Sequence, residues 1–238
     1  MKNAKTRRKE KRAKIYGSSY AEPESAVRII EKKEPKPLRA LTEAQGQYIA
    51  SIISNTITFG IGPQGTGKSY VAGAWAADQL KQGLCEKLII TRPVIESGRN
   101  MGALPGTLEE KFAPFMKPFN SVLEERLGKT FFEYLKKTGK IEAYPLEYMR
   151  GETFNNSLVI LDEAQNATDD QLLMFMTRIG EGSKMIIDGS ITQCDIRNSG
   201  LQNAVRRLRS VQEIGVVEFD IDDIVRHGLI KEILRAYE

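Results

Sequence analysis

Eight consecutive residues of this chain have the types and spacing that hold the phosphates of a nucleotide. They are Gly62-Pro63-Gln64-Gly65-Thr66-Gly67-Lys68-Ser69, and Tyr70 follows them. In this Gly-x-x-x-x-Gly-Lys-Ser pattern, a P-loop, the glycines let successive backbone N–H groups point into one concavity around the phosphates. Lys68 is spaced to reach the β- and γ-phosphates, and the Ser69 hydroxyl to ligate Mg²⁺. The pattern predicts a site for a nucleoside triphosphate with Mg²⁺.

Two adjacent acids farther along the chain supply the chemistry expected of such a site. The apolar run Leu158-Val-Ile-Leu ends in Asp162 and Glu163. If this run is a buried strand beside the P-loop strand, Asp162 can hold Mg²⁺ through its coordination shell. Glu163 can then orient and deprotonate the attacking water. A pair of acids favours hydrolysis of the triphosphate over phosphate transfer between small molecules.

The elements that must position these residues are short apolar strands that alternate with helices. Strands are predicted at about 56–61, 87–91, 157–162, 184–188 and 215–219. A helix at about 68–82 opens at the P-loop, and Pro residues break 92–150 into several short helices. Strands that alternate with helices predict an α/β fold in three layers, with a mainly parallel central sheet covered on both faces.

Helix starts are predicted by capping boxes, in which a Ser or Thr is followed three residues later by Gln. The three boxes are Thr42/Gln45, Thr168/Gln171 and Ser199/Gln202. A closing helix is predicted over 222–237. One globular domain is therefore expected over 38–238.

Charge separates an N-terminal arm, residues 1–37, from this domain. The first 14 residues contain eight lysines and arginines against one acid, Glu10, whereas the whole chain has a net charge of +4. The arm is either a solvated leader or an electrostatic clamp on the phosphates of RNA or DNA, which would give affinity without sequence specificity.

The remaining composition excludes several classes of protein. No stretch approaches the roughly 20 apolar residues of a membrane span, so no membrane partner is expected. Cys85 and Cys194 are isolated, which argues against a zinc site and a disulfide framework. A reduced, cytoplasmic location is therefore expected.

Several motifs in order resemble the PhoH-like proteins. They are Gly60-Ile-Gly-Pro-Gln-Gly-Thr-Gly-Lys-Ser69, Ile90-Thr-Arg-Pro-Val94, Gly102-Ala-Leu-Pro-Gly106, Leu161-Asp-Glu-Ala-Gln-Asn166 and Asp223-Ile-Val-Arg-His227. The resemblance covers about residues 38–238. It implies a RecA-like P-loop domain, a cytoplasmic ATPase related to the N-terminal motor lobe of superfamily 1 helicases, and RNA as the expected polymer.

The resemblance assigns roles to further residues, each with a plainer alternative. Gln45 lies where a helicase-like glutamine would read adenine, or it only completes the capping box with Thr42. Arg92 lies where related motors touch the nucleic-acid backbone, or it is a surface arginine at a strand end. Arg226 matches an arginine finger that acts in cis or from a neighbouring subunit. Its alternative is a helix-surface arginine paired with Asp222 or Asp223.

The segment after the fourth strand departs from the family pattern. Gln193 matches the glutamine that senses the γ-phosphate in the pattern Gly-Asp-x-x-Gln. This chain instead has Gly189-Ser190 before it, with Asp188 one place early. Asp188 or Asp195 is a candidate substitute for the missing acid.

The chain has the length of one motor lobe, whereas helicase-like motors close two lobes over one ATP. A homo-oligomer such as a hexameric ring, with ATP at the subunit contacts, is therefore expected. Transition-state charge would be stabilised by Lys68, by Mg²⁺ on Ser69 and Asp162, and by an arginine such as Arg226.

Three functional classes remain open on the sequence. The first is an oligomeric, RNA-linked ATPase or helicase. The second is a nucleotide-regulated module that binds single-stranded RNA or DNA and hydrolyses ATP slowly. The third is a nuclease or a nuclease-associated ATPase.

Overall fold

The computed structural model describes residues 36–94, 108–191, 194–196 and 198–237. The strands in these ranges are β1 (Ile57–Ile61), β2 (Lys87–Arg92), β3 (Ile141–Pro145), β4 (Ser157–Leu161), β5 (Lys184–Gly189) and β6 (Ile214–Glu218). The α-helices are α1 (Glu43–Ser54), α2 (Lys68–Gln82), α3 (Leu108–Leu127), α4 (Lys129–Lys137), α5 (Asp169–Met176), α6 (Leu201–Leu208) and α7 (Leu229–Tyr237). Short 3₁₀ turns cover Leu146–Met149, Ala164–Asn166 and Ile221–Asp223. Most of the arm predicted at 1–37 and the predicted sensor Gln193 lie outside the described residues.

The strands form one parallel sheet in the order β3-β2-β4-β5-β1-β6. Successive residues of β4 enter two different cores, Ile160 on one face and Val159 on the other. Tyr48 of α1 and Phe132 of α4 pack into the first core, and residues of α5 and α6 into the second. The predicted three-layer fold is therefore confirmed.

The strand order corrects one expectation about the site. The sequence placed the acid-bearing strand beside the P-loop strand, but β5 lies between β4 and β1. Because all six strands are parallel, their carboxyl ends still meet at one edge of the sheet. The residues that follow β1, β4 and β5 therefore face one another at that edge.

The segment 92–150 differs most from its prediction. Strand β3 was not predicted, because it ends in Pro145 and its three central residues are only half-buried. It forms one edge of the sheet, where a proline is tolerated. The expectation that prolines break this segment into short helices is wrong for α3, one helix of 20 residues with Pro114 and Pro118 inside it, whereas α4 is a short helix of nine residues.

The helix starts are only partly as predicted. The box at Thr168 is confirmed, since its side chain accepts the Gln171 N–H and the Gln171 side chain accepts the Thr168 N–H. The box at Ser199 is wrong: Gly200 is the N-cap of α6, and a Cβ there would lie 2.4 Å from the Asp169 backbone nitrogen.

The closing helix, α7, begins later than residue 222, where it was predicted to start. Asp220 accepts two backbone N–H bonds that close the 3₁₀ turn Ile221–Asp223. The chain then runs without helix to His227, whose Nδ1 accepts the Leu229 N–H at 3.2 Å. Among the described residues, no helix combines the length and apolar character that crossing a membrane requires.

Candidate nucleotide-binding site

The loop between β1 and α2 depends on glycine at two points. Gly62 has φ 154°, and a Cβ on it would lie 2.3 Å from the Phe219 carbonyl oxygen. Gly67 has φ 87°, and its Cβ would lie 2.7 Å from Nε2 of Gln45. A side chain at either position would meet both backbone strain and a collision. Helix α2 begins directly after Gly67, so its unpaired N–H groups are available to an anion.

Lys68 is folded into this loop. Its Nζ donates to the carbonyl oxygens of Gly62 and Pro63, each at 2.8 Å, and to Oγ1 of Thr66 at 3.1 Å. The residue is 8% exposed. Burial lowers the pKa of Lys68, and the charges of Asp188, Asp162 and Glu163 oppose that shift.

Ser69 and Asp162 are brought together, as the sequence predicted for a cation site. The Ser69 hydroxyl donates to Oδ1 of Asp162 at 3.0 Å. The backbone N–H of Asp162 donates to the Thr91 carbonyl oxygen at 2.9 Å, which fixes the start of the turn after β4. A hydroxyl and a carboxylate are the oxygen ligands that Mg²⁺ prefers, so this donor set fits the ion.

Glu163 is held in an unusual conformation beside these ligands. Its backbone is left-handed, with φ 53°, which is uncommon for a residue other than glycine. Its Oε2 accepts a hydrogen bond from Nε2 of Gln165 at 2.6 Å. Gln165 is 2% exposed, and its Oε1 accepts the Ser190 N–H at 3.0 Å. Gln165 therefore connects Glu163 to the loop after β5.

Gln165 is not among the site residues that the sequence predicts. The sequence feature that could have indicated it is its position two residues after Glu163, from which its amide reaches that carboxylate. Asp195 is a sequence candidate for replacing the missing family acid, and it does not line the pocket described below. Asp195 instead makes two hydrogen bonds with Asn166. The Asp195 backbone N–H donates to Oδ1 of Asn166 at 3.1 Å, and Nδ2 of Asn166 donates to Oδ2 of Asp195 at 3.3 Å.

Arg92 points into the pocket. Its Nη2 lies 2.5 Å from Oδ2 of Asp162 and 3.5 Å from Oε1 of Glu163. The side chain is 22% exposed. The guanidinium also lies 5.9 Å from the centre of the Phe115 ring on α3.

Gln45 is 3% exposed and reaches the P-loop. Its Nε2 donates to the Thr66 carbonyl oxygen at 2.8 Å, and its Oε1 accepts the Leu41 N–H at 2.8 Å. The predicted capping box is only half formed, because Thr42 accepts the Gln45 N–H but the Gln45 side chain bonds Leu41 instead of Thr42.

Asp188 is buried at the end of β5. Its Oδ1 accepts a hydrogen bond from the Tyr48 hydroxyl, and its Oδ2 has no hydrogen-bond partner among the described residues. Burial raises the pKa of Asp188 to about 7, although the Tyr48 bond acts in the opposite direction. No sequence pattern indicated the Tyr48 contact, because Tyr48 fitted the apolar face of α1.

Arg226 lies against the P-loop and not on a helix. A Cβ on Gly65 would lie 3.0 Å from Cδ of Arg226, and the Val225 N–H donates to the Gly65 carbonyl oxygen at 3.0 Å. The alternative of a helix-surface arginine paired with Asp222 is wrong, since Asp222 pairs with Arg235. Asp223 instead accepts the Asp220 N–H.

A cavity of about 560 Å³ joins these groups. Its lining includes Lys68, Ser69, Asp162, Glu163, Arg92, Asp188, Gln45 and Arg226, with Tyr70 and Gln64 of the P-loop segment. The structure therefore brings most of the predicted site residues within the described ranges to one pocket, whereas Pro63 and Thr66 of the P-loop do not line it. Such a pocket can hold an anion and a divalent cation beside a carboxylate base.

Comparison with known proteins gives a family and a fold. The family model described as "PhoH-like protein" matches residues 37–238. A PhoH-like protein of Bacillus subtilis is 43% identical over 231 residues, covering 96% of this chain and 72% of that protein. Protein PhoH of Escherichia coli is 42% identical over 212 residues, covering 87% of this chain and 60% of that protein.

Among solved structures, the large terminase of a thermophilic bacteriophage superposes with a TM-score of 0.51 at 12% identity. The match covers 84% of this chain and 51% of the terminase chain. At that identity, the likeness concerns the fold alone.

Proposed function

Because the chain belongs to the PhoH-like family, we propose that it binds ATP with Mg²⁺ and hydrolyses it. The observation that carries this proposal is the meeting of three groups at one edge of the sheet. They are Lys68 in the P-loop, the Ser69–Asp162 pair, and Glu163 beside that pair.

Each of these residues has its own part in the proposed reaction. Lys68 exchanges its carbonyl partners for the β- and γ-phosphates, to which its charge is better matched. Ser69 and Asp162 would hold Mg²⁺, which would supply positive charge to the phosphate oxygens. Glu163 takes the proton of the attacking water, and its carboxylate is already oriented by Gln165.

Arg226 supports this proposal from the P-loop side. Its side chain lies against Gly65 of the same P-loop and lines the same pocket, which supports a role in stabilising transition-state charge in cis. Gln193 keeps its proposed role as a sensor of the γ-phosphate.

We further propose that the ATPase acts on single-stranded RNA or DNA as a homo-oligomer. The support is that the described residues form one sheet, and so one lobe, whereas helicase-like motors close two lobes over one ATP, together with the basic run in residues 1–14. A nucleotide-regulated binding module remains the second candidate, favoured by Ser190 in place of the family acid. The two differ in whether polymer stimulates turnover.

The test compares ATP hydrolysis by the intact chain, by Lys68→Ala and by Glu163→Gln, with and without single-stranded RNA. We expect Lys68→Ala to lose ATP binding. Glu163→Gln should bind ATP but hydrolyse it at least about 100-fold more slowly, because it lacks the general base. Parent-rate hydrolysis by either variant would rule out the assignment.

Lys87→Ala is the matched control. Lys87 pairs with Glu142 at the opposite end of β2 from Arg92, at 2.6 Å, so its loss should leave hydrolysis unchanged. Tight ATP binding with no polymer stimulation would favour the binding module over the motor.

A further inference from the structure

The register of the sheet places Arg92 beside the two acids. Strands β2 and β4 pair in parallel, with Thr91 opposite Leu161. The next residues along the two strands are Arg92 and Asp162, and the Asp162 N–H donates to the Thr91 carbonyl oxygen at 2.9 Å. The two side chains therefore leave the sheet at the same point.

One guanidinium bridges the two carboxylates. Nη2 of Arg92 makes a charge-assisted hydrogen bond to Oδ2 of Asp162 at 2.5 Å and lies 3.5 Å from Oε1 of Glu163. The other oxygens of the acids face different partners: Oδ1 of Asp162 faces Ser69, and Oε2 of Glu163 faces Gln165. Glu163 is thus held from two sides, by a cation and by an amide.

The surroundings of Arg92 do not favour a nucleic-acid contact. The guanidinium faces Asp162 and Glu163 inside the pocket where the ATP phosphates are proposed to bind, so a polymer phosphate at Arg92 would compete with the nucleotide for that space. The side chain is 22% exposed, and the Phe115 ring lies within cation–π distance.

We propose that Arg92 is a positioning residue that fixes Glu163 for ATP hydrolysis, and not a contact to the nucleic-acid backbone. The inference rests on the proposed function. Two adjacent carboxylates repel each other, and Glu163 has a strained backbone, so without Arg92 its carboxylate would turn away from Asp162. A displacement of about 1 Å in a reacting group can cost on the order of 100-fold in rate.

The test compares Arg92→Ala and Arg92→Lys with the parent chain, and uses Lys87→Ala as the control for loss of a cation from β2. Three measurements separate the roles: steady-state hydrolysis, which gives kcat and KM for ATP; the Kd of a non-hydrolysable ATP analogue with and without Mg²⁺; and the Kd of a single-stranded oligonucleotide. Thermal melting checks that each variant folds.

For Arg92→Ala, we expect kcat to fall by about 100-fold, with KM, the analogue Kd and the oligonucleotide Kd within about twofold of the parent. Arg92→Lys should recover part of kcat, since it keeps the charge but loses the planar guanidinium. A rise in the oligonucleotide Kd with an unchanged polymer-free kcat would overturn the proposal in favour of a polymer contact.

An unchanged kcat in Arg92→Ala would overturn the proposal as well. Failure of the proposed function is a different result, because it would show in the parent chain as absent ATP binding or hydrolysis. A parent chain that hydrolyses ATP therefore tests Arg92 on its own.

Discussion

The Tyr48 hydroxyl donates a hydrogen bond to Oδ1 of Asp188, which joins helix α1 to the end of strand β5 inside the protein. Both residues are almost fully buried. The contact passes over Gly60 of β1, which pairs with Asp188 in the sheet and on which a Cβ would lie 2.6 Å from Oδ1 of Asp188. The absence of a side chain at Gly60 is therefore what lets the carboxylate reach Tyr48.

The first prediction is that Asp188 makes stability fall as the pH rises towards neutrality. Burial raises its pKa to about 7 in the folded protein, against about 3.9 in an unfolded chain. Between these values, the folded state holds one more proton than the unfolded state, so the free energy of unfolding declines with rising pH by about 1.4 kcal/mol per pH unit. The stabilising contribution is complete below about pH 4 and lost through about pH 7.

Asp188→Asn should remove this dependence while keeping an oxygen that accepts from Tyr48. Urea unfolding of both proteins at about pH 5 and about pH 8 measures the effect, which should favour the Asn variant more at the higher pH. The charged groups that act on Asp188 (Lys68, Asp162 and Glu163) are the same in both proteins. Equal differences at the two pH values would contradict the prediction.

The spacing of Lys68, Ser69, Asp162 and Glu163 was sufficient to predict that these side chains converge. The P-loop pattern is local in sequence and fixes where Lys68 and Ser69 lie at the end of β1. The carboxyl ends of parallel strands share one edge of the sheet, which brings Asp162 and Glu163 to the same place. The contacts of Arg92, Tyr48 and Gln165 were not predictable in this way. They depend on which strands are neighbours and in which register, and β5 inserts between β1 and β4 through pairings of residues far apart in sequence.

The second prediction concerns whether Gln45 reads the base. The Gln45 amide bonds the Leu41 N–H and the Thr66 carbonyl oxygen, and these two partners fix its orientation. Both partners are backbone groups of the protein itself. Gln45→Glu keeps the acceptor and replaces the donor to Thr66 with a carboxylate oxygen. We expect ATP and GTP to lose affinity by the same factor, about tenfold, because an unmade buried hydrogen bond costs about 1–3 kcal/mol.

The ratio of the ATP and GTP dissociation constants is the deciding measurement for Gln45. A role in shaping the P-loop leaves this ratio at the parent value. A change in the ratio would instead assign Gln45 to adenine recognition.

The third prediction is that Gly62→Ala abolishes nucleotide binding. Its φ of 154° is strained for alanine, and the added Cβ would lie 2.3 Å from the Phe219 carbonyl oxygen. Either the loop or the segment after β6 must move. Gly83→Ala is the control, since Gly83 also has a positive φ, 70°, but a Cβ there meets nothing within 4 Å.

Fluorescent ATP titration of Gly62→Ala and Gly83→Ala provides the comparison. Gly83→Ala should lose about 1 kcal/mol of stability at the end of α2 and keep the parent affinity for ATP. Parent-like binding by Gly62→Ala would show that the loop tolerates a different path.

The fourth prediction is that loss of a buried ion pair lowers the free energy of unfolding more than loss of an exposed one. Arg126 of α3 is 5% exposed and is paired with Asp78 of α2, and it also donates to the Lys36 carbonyl oxygen. Asp78→Ala leaves the buried guanidinium without its counter-charge, which costs about 3 kcal/mol. Asp222→Ala removes the partner of Arg235, whose side chain is 54% exposed, and should cost well under about 1 kcal/mol. Chemical denaturation of both variants at neutral pH measures the two costs, and equal losses would mean that α2 and α3 are not held together through Arg126.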